Sequence, residues 1–143
     1  MKPGLALRVL SVGVAVFLFA MALNKVAWIG DPDQLAQRFQ RWLPNAAPYA
    51  RWYLQSIAIP GAPVFARLVP IGEFAVAVAL LLGVRTNVAA MVSLFMVLNF
   101  HLATSAFSSW EFLRDASGPP VIGALLALAI AGRRLPFSLP VGR

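Results

Sequence analysis

The chain has 143 residues, of which 60% are hydrophobic and only 12% charged. A soluble domain carries about 25% charged residues, and one this small cannot hide so much apolar surface from water, so the sequence predicts a protein solvated by lipid. The net charge of +7 is spread beside apolar runs rather than gathered on one face, which argues against a nucleic-acid partner, and the lack of cysteine excludes disulfides, thiolate metal sites and cysteine redox chemistry.

The first apolar run covers 4–29, with Arg8 near its start and Asn24-Lys25 near its end. Its basic start and the small residues at 20–22 resemble a signal peptide. The apolar stretch, however, is longer than an h-region of about 7–15 residues, and further spans follow. It therefore reads as a membrane helix.

The long polar stretch of the chain, 30–62, comes next. Asp31 suits a helix cap, Pro32 the first helical position, and Gln34 the capping-box position. Leu35, Phe39, Trp42 and Leu43 then fall on one face. Gln34, Gln37, Arg38, Gln40 and Arg41 take the other, and Pro44-Asn45 stops the helix. This is the pattern of an amphipathic helix lying in a membrane interface. The aromatic stretch at 49–53 is expected to do the same, and Pro60-Gly61-Ala62-Pro63 to turn the chain back into the bilayer.

The second span is 64–84, carrying Arg67 and Glu73. A tight turn at Arg85-Thr86-Asn87 leads into the third, 88–107, carrying Asn99 and His101. A spanning helix needs about 20 apolar residues. The fourth segment reaches that length only as 118–135, with Arg133 and Arg134 snorkelling to the interface. The expected fold is all-α, a single four-helix integral membrane bundle with an interfacial segment between spans one and two.

Four spans place both termini on one side, with Lys2, Arg8, Arg85, Arg133, Arg134 and Arg143. The other side receives Lys25, Arg38, Arg41, Arg51, Arg67 and Arg114, together with Asp31, Asp33, Glu111 and Asp115. The basic counts tie, but the first set lies tightly at span ends, where position matters most. Both termini are therefore expected in the cytoplasm, in a multi-pass protein of the inner membrane. Trp28, Trp42, Tyr49, Trp52, Tyr53 and Trp110 all fall on the opposite, outer side. Amphipathic rings favour the headgroup zone, so these six form an aromatic cap, read either as anchors or as a lateral entrance for an amphipathic ligand.

Glu73 lies about nine residues into its span, roughly 13 Å deep at 1.5 Å per residue. A lone carboxylate there costs about 2.5 kcal/mol or more. Asn99 and His101 lie roughly 9–12 Å below the outer end of the antiparallel third span. Asn24 and Lys25 close the first span on the same side, and Arg67 enters one turn above Glu73 on a different face. These six residues form a candidate polar site beneath the cap. In a functional reading Glu73 relays a proton or accepts a hydrogen bond from a quinone-type ring, with His101 as acid, base or donor. In a structural one Glu73 pairs with Lys25 or Arg67, while Asn99 and His101 hold helices together. One histidine cannot ligate haem from both faces, and no zinc ligand set exists, so no metal site is expected. Gly72, Gly83 and Gly123 read as close-packing positions or helix ends. No phosphate loop, nucleophile elbow or dinucleotide fingerprint is present.

In chain order, FAMALNK at 19–25, IPGAP at 59–63, Gly72-Glu73, LGVRT at 82–86 and AGR at 131–133 make the sequence resemble the DoxX family of small bacterial membrane proteins. The 30–62 stretch departs from the family's more compact loop. The resemblance implies a four-helix membrane bundle and a link to quinone-coupled redox systems, since the related DoxD protein is a thiosulfate:quinone oxidoreductase subunit. It implies no reaction for this chain, because fold does not carry function. The leading expectation is a non-catalytic subunit or partner of a quinone-linked redox system, as the sequence holds no complete catalytic set. The alternative is a site in the bundle for a quinone or another lipophilic molecule. A channel would require an oligomer, since four short helices enclose little space.

Overall fold

A computed structural model describes residues 3–132 and 135–139, so Lys2, Arg133, Arg134 and Arg143 of the expected basic rim lie outside the described residues. All regular elements among the described residues are helical. Five helices organise the chain: α1 (Pro3–Leu23), α2 (Asp33–Trp42), α3 (Pro48–Leu82), α4 (Thr86–Ala103) and α5 (Pro119–Ala131). By length and composition α1, α3 and α4 can cross a membrane, while α5 is a shorter apolar helix. Its 13 residues extend about 20 Å at 1.5 Å per residue, less than the roughly 30 Å hydrocarbon core of a bilayer.

The helices close a ring, α1 against α3, α3 against α4, α4 against α5 and α5 back against α1. Its core is rich in small residues, with Ala15, Ala77, Ala89 and Ala90 buried among Leu18, Leu80, Leu125 and Leu128. Small side chains let helix backbones approach closely, which matters where lipid removes the hydrophobic drive to associate. Outside the ring the same helices expose Val9, Val16, Val64, Leu68, Phe95 and Ile130. A helix apolar on all sides fits a bilayer and not water.

The segment between α1 and α3 caps one end of the ring. α2 has the expected two faces, with Leu35 and Phe39 buried and Trp42 and Leu43 half-buried. Its start differs from the expected capping box. Among the described residues no side chain caps the helix, and Gln34 Nε2 donates instead to Asp31 Oδ2 at 3.1 Å.

Tyr49 to Tyr53 does not form a separate surface helix, and Pro60 to Pro63 does not reverse the chain. Both belong to α3, which runs unbroken for 35 residues. The reason lies just upstream. In an ideal α-helix the Pro60 ring would press on the Ser56 carbonyl. One wide π-helical turn at Leu54–Ala58 precedes it, with the Ile59 N–H donating to Leu54 O. That wider turn makes room for the ring while the chain stays helical. Ala50, Leu54, Ala58, Ala62, Ala66 and Pro70 then form a buried seam at every fourth residue, much of it packed against Trp28, Leu35 and Phe39.

At the opposite end α3 stops at Gly83, whose φ of 73° is free of strain only in glycine. The Val84 N–H donates to Ala79 O, closing a Schellman turn. Arg8 and Ser11 of α1 add side-chain donors to the carbonyls of this last turn. Arg8 Nη1 donates to Leu80 O at 2.9 Å and Nη2 to Leu81 O at 2.6 Å, and Ser11 Oγ donates to Leu80 O at 2.8 Å. Arg8 thus interrupts the first apolar run in order to cap a neighbouring helix. Arg8→Leu is expected to cost about 1.5–3 kcal/mol, the range for hydrogen bonds from a charged donor. A fall in the midpoint of thermal unfolding in detergent measures it, and an unchanged midpoint would reduce the contact to a surface one.

Candidate functional site: a lateral pocket floored by an ion pair

α1 ends at Leu23, and the chain makes a turn at 24–26 before a short helical turn at Ala27–Gly30. This break folds Lys25 into the bundle and leaves Asn24 exposed. Lys25 Nζ donates to Glu73 Oε1 of α3 at 2.5 Å, and the two side chains are 7% and 11% exposed. Of the two partners open to Glu73, Lys25 is the one it takes. Arg67 lies exposed on another face of α3, its Nη1 donating to Pro63 O at 3.1 Å. Among the described residues Glu73 Oε2 has no hydrogen-bond partner.

The pair forms the floor of a cavity of about 330 Å³ between α3 and α4. Trp28, Phe39, Trp42 and Tyr53 close it toward the capped end, Gly72, Met96, Asn99 and Phe100 form its walls, and Leu68, Val92 and Phe95 its lip. The lip residues are exposed on the outside of the ring, so the cavity opens sideways through an apolar rim. The aromatic lid is internally braced. Trp42 meets Phe39 at 5.7 Å and the Phe100 edge at 5.6 Å between ring centroids. Arg38 stacks on Trp28 with its guanidinium carbon 5.2 Å from the ring centre. Tyr53 donates its hydroxyl to Asn99 Oδ1 at 2.7 Å, linking α3 to α4 at the cavity edge.

His101 is turned away from this cavity. It is 1% exposed, and its Nε2 lies 3.0 Å from Ser117 O. Phe107 and Phe112 pack on the ring at 5.9 and 5.1 Å. His101 therefore anchors the loop at 104–118 over the end of α4. In that loop Asp115 Oδ1 accepts from the backbone N–H and the hydroxyl of Ser117, both at 2.8 Å. These bonds hold the Asp115 carboxyl below its ordinary range. The turn is complete above the ordinary carboxylate pKa and is lost as pH falls through the depressed value. The Ser117 amide resonance is expected to stay constant near neutral pH and to move only at acid pH, and Asp115→Asn to abolish that movement.

The six aromatic residues expected to cap the bundle divide into two groups. Trp28, Trp42 and Tyr53 face the cavity, whereas Tyr49, Trp52 and Trp110 are exposed, the last two by 63% and 79%. Tyr49 ties α3 to the 104–118 loop through a 2.9 Å bond with Ser108 Oγ. Of the six polar candidates, Lys25, Glu73 and Asn99 line the cavity. His101 reaches Glu73 only across a second, smaller space, and Asn24 and Arg67 stand apart. Sequence reading did not single out Phe100, Met96, Ser93 or Ser117. Phe100 and Met96 are hidden in an apolar run, and the two serines carry no motif.

The model of the DoxX family matches residues 4–106. The chain belongs to the DoxX family. The matched segment runs from α1 through the end of α4, so every residue lining the lateral pocket lies within DoxX sequence, while α5 lies beyond it. This DoxX protein is a membrane protein, in keeping with its three long apolar helices. No curated protein and no solved structure matches the chain.

Proposed function

We propose that this DoxX protein holds a lipophilic ring-and-tail molecule of the quinone class in its lateral pocket. The observation that carries the reading is the combination of an apolar, sideways-opening lip with a charged floor. Ligand pockets of this kind join mostly apolar walls to a few convergent polar groups. Lys25 Nζ offers a hydrogen bond to a ring carbonyl, Glu73 accepts one from a ring hydroxyl, and the Asn99 amide N–H adds a donor. Phe100 and Trp42 supply faces for the ring, and a tail leaves past Leu68, Val92 and Phe95 into lipid.

In this reading α1, α3 and α4 cross the inner membrane, α5 makes a fourth crossing where the bilayer thins around its shorter length, both termini are cytoplasmic, and the capped end is extracytoplasmic. The aromatic cap then lies at the outer headgroup level, with Trp52 and Trp110 as anchors. Decylubiquinone added to the full chain in nanodiscs is expected to quench the fluorescence of Trp28 and Trp42 saturably. Quenching that rises linearly, as for a solute dissolved in lipid, would defeat the reading.

A second role is compatible with the same pocket, that of a non-catalytic subunit presenting the quinone to a redox partner. It draws support from the apolar surface of the 104–118 loop, where Phe107, Trp110 and Leu113 are exposed beside the anchored His101. Affinity purification from native membranes tests it. A redox protein that co-purifies, and is lost in Trp110→Ala, supports a partner, while a chain that purifies alone removes the role.

A further inference from the structure

The lateral pocket opens past the exposed apolar residues Leu68, Val92 and Phe95, which offer a proton on Glu73 no polar path to water. A second cavity lies on the other side of the same ion pair. It measures about 30 Å³ and is bordered by Lys25, Glu73, Ser93, His101 and Ser117, with apolar walls including Met96 and Val97. A cavity needs only about 10–15 Å³ of such volume to hold a water, provided two to four polar partners surround it. Those partners are present. Glu73 is 8% exposed, and its Oε2 is unpartnered among the described residues. Ser93 directs its hydroxyl hydrogen to Ala89 O at 2.8 Å and keeps its oxygen lone pairs for a further donor. Lys25 also borders the space.

His101 supplies the exit. Its Nε2 faces the Ser117 carbonyl at 3.0 Å. A carbonyl only accepts, so Nε2 carries the hydrogen and Nδ1 of the neutral ring is left as an acceptor. Beyond it lie Ser117 and Asp115 of the 104–118 loop, joined by two 2.8 Å bonds, with Asp115 exposed. The titratable and charged groups around the path are Lys25 from the turn after α1, Glu73 from α3, His101 from α4 and Asp115 from the loop.

We propose that the small cavity is a water site that passes protons between Glu73 and the 104–118 loop through His101. A proton leaves Glu73 Oε2 for the water oxygen, and the water gives one of its own protons to His101 Nδ1. The imidazolium then gives its Nε2 proton to a solvent molecule that replaces the Ser117 carbonyl at the half-buried edge of the loop, and tautomer exchange and return of the carbonyl reset the ring. One proton leaves Glu73, one reaches the surface, and no electron moves. The proposal rests on the lateral-pocket reading only for its purpose, since a ring hydroxyl bound there would be the source of the proton.

The test uses the full chain in nanodiscs and no quinone. Infrared bands of Glu73, identified by their loss in Glu73→Gln, are followed after an acid jump. Ser93→Met fills the cavity and His101→Ala removes the relay. Each is expected to slow protonation at least tenfold, and added imidazole is expected to restore the rate in His101→Ala alone. Rates as fast as wild type in both variants would overturn the proposal. So would a slow His101→Ala that imidazole leaves slow, which makes His101 a packing residue, and so would wild-type bands that do not respond. Failure of decylubiquinone to bind leaves these rates untouched, so the two readings fail separately.

Discussion

Lys25→Met is expected to destabilise the bundle by about 3–5 kcal/mol, the cost of removing one partner from a buried ion pair. The magnitude follows from burial. Both side chains are almost wholly removed from solvent and meet at 2.5 Å, so the variant leaves Glu73 as an uncompensated carboxylate between two cavities. Lys25→Met combined with Glu73→Gln is expected to recover most of the loss, because a pair replaced by neutral groups of similar volume is often neutral in stability. Arg67→Met is expected to have no comparable effect, as Arg67 is exposed on the helix and, among the described residues, its guanidinium hydrogen-bonds only to Pro63 O. Unfolding in mixed detergent micelles measures all three. A Lys25→Met variant as stable as wild type would mean that the pair is solvated rather than buried.

Glu73→Gln is expected to weaken decylubiquinone binding by about tenfold or more, measured well below its lowered unfolding midpoint, since it leaves Lys25 without its counter-charge and costs stability of the same order as Lys25→Met. A hydrogen bond to a charged group contributes about 1.5–3 kcal/mol, and 1.4 kcal/mol corresponds to a factor of ten in Kd. Val92→Trp is expected to weaken binding at least as much for a different reason. It narrows the apolar lip between α3 and α4 and leaves the polar floor intact. The two losses separate recognition of the ring from passage of the tail. Equal affinity in both variants and wild type would place any bound quinone elsewhere.

Much of the architecture is legible in the sequence because lipid imposes simple demands. Long apolar runs mark α1, α3 and α4, and the 3.6-residue period of Leu35 and Phe39 marks the buried face of α2. Glu73 stands out because carboxylates are rare at such depth. Its partner is not legible. Arg67 lies six residues earlier, about 240° around the helix at roughly 100° per residue, and so points away, but selecting Lys25 requires knowing that α1 breaks at 24–26. The four prolines between 48 and 70 mislead for a similar reason. Pro60 is accommodated by the π-helical turn at Leu54–Ala58, and nothing local announces a switch from i+4 to i+5 bonding. The Tyr53 bond to Asn99 joins residues 46 positions apart, a separation that no local pattern spans. The lateral pocket is a product of these three features together: the break after α1, the unbroken α3 and the Tyr53 bridge.

The most direct measurement is photolabelling of the full chain in native membranes with an azido-quinone, followed by mapping of the labelled residues. The lateral-pocket account predicts labels on Phe95, Met96 and Phe100 of α4 and on Leu68 and Val69 of α3, all lost when excess decylubiquinone competes. Labels confined to α5 or to the outer surface of α1, or labels that decylubiquinone does not displace, would contradict it.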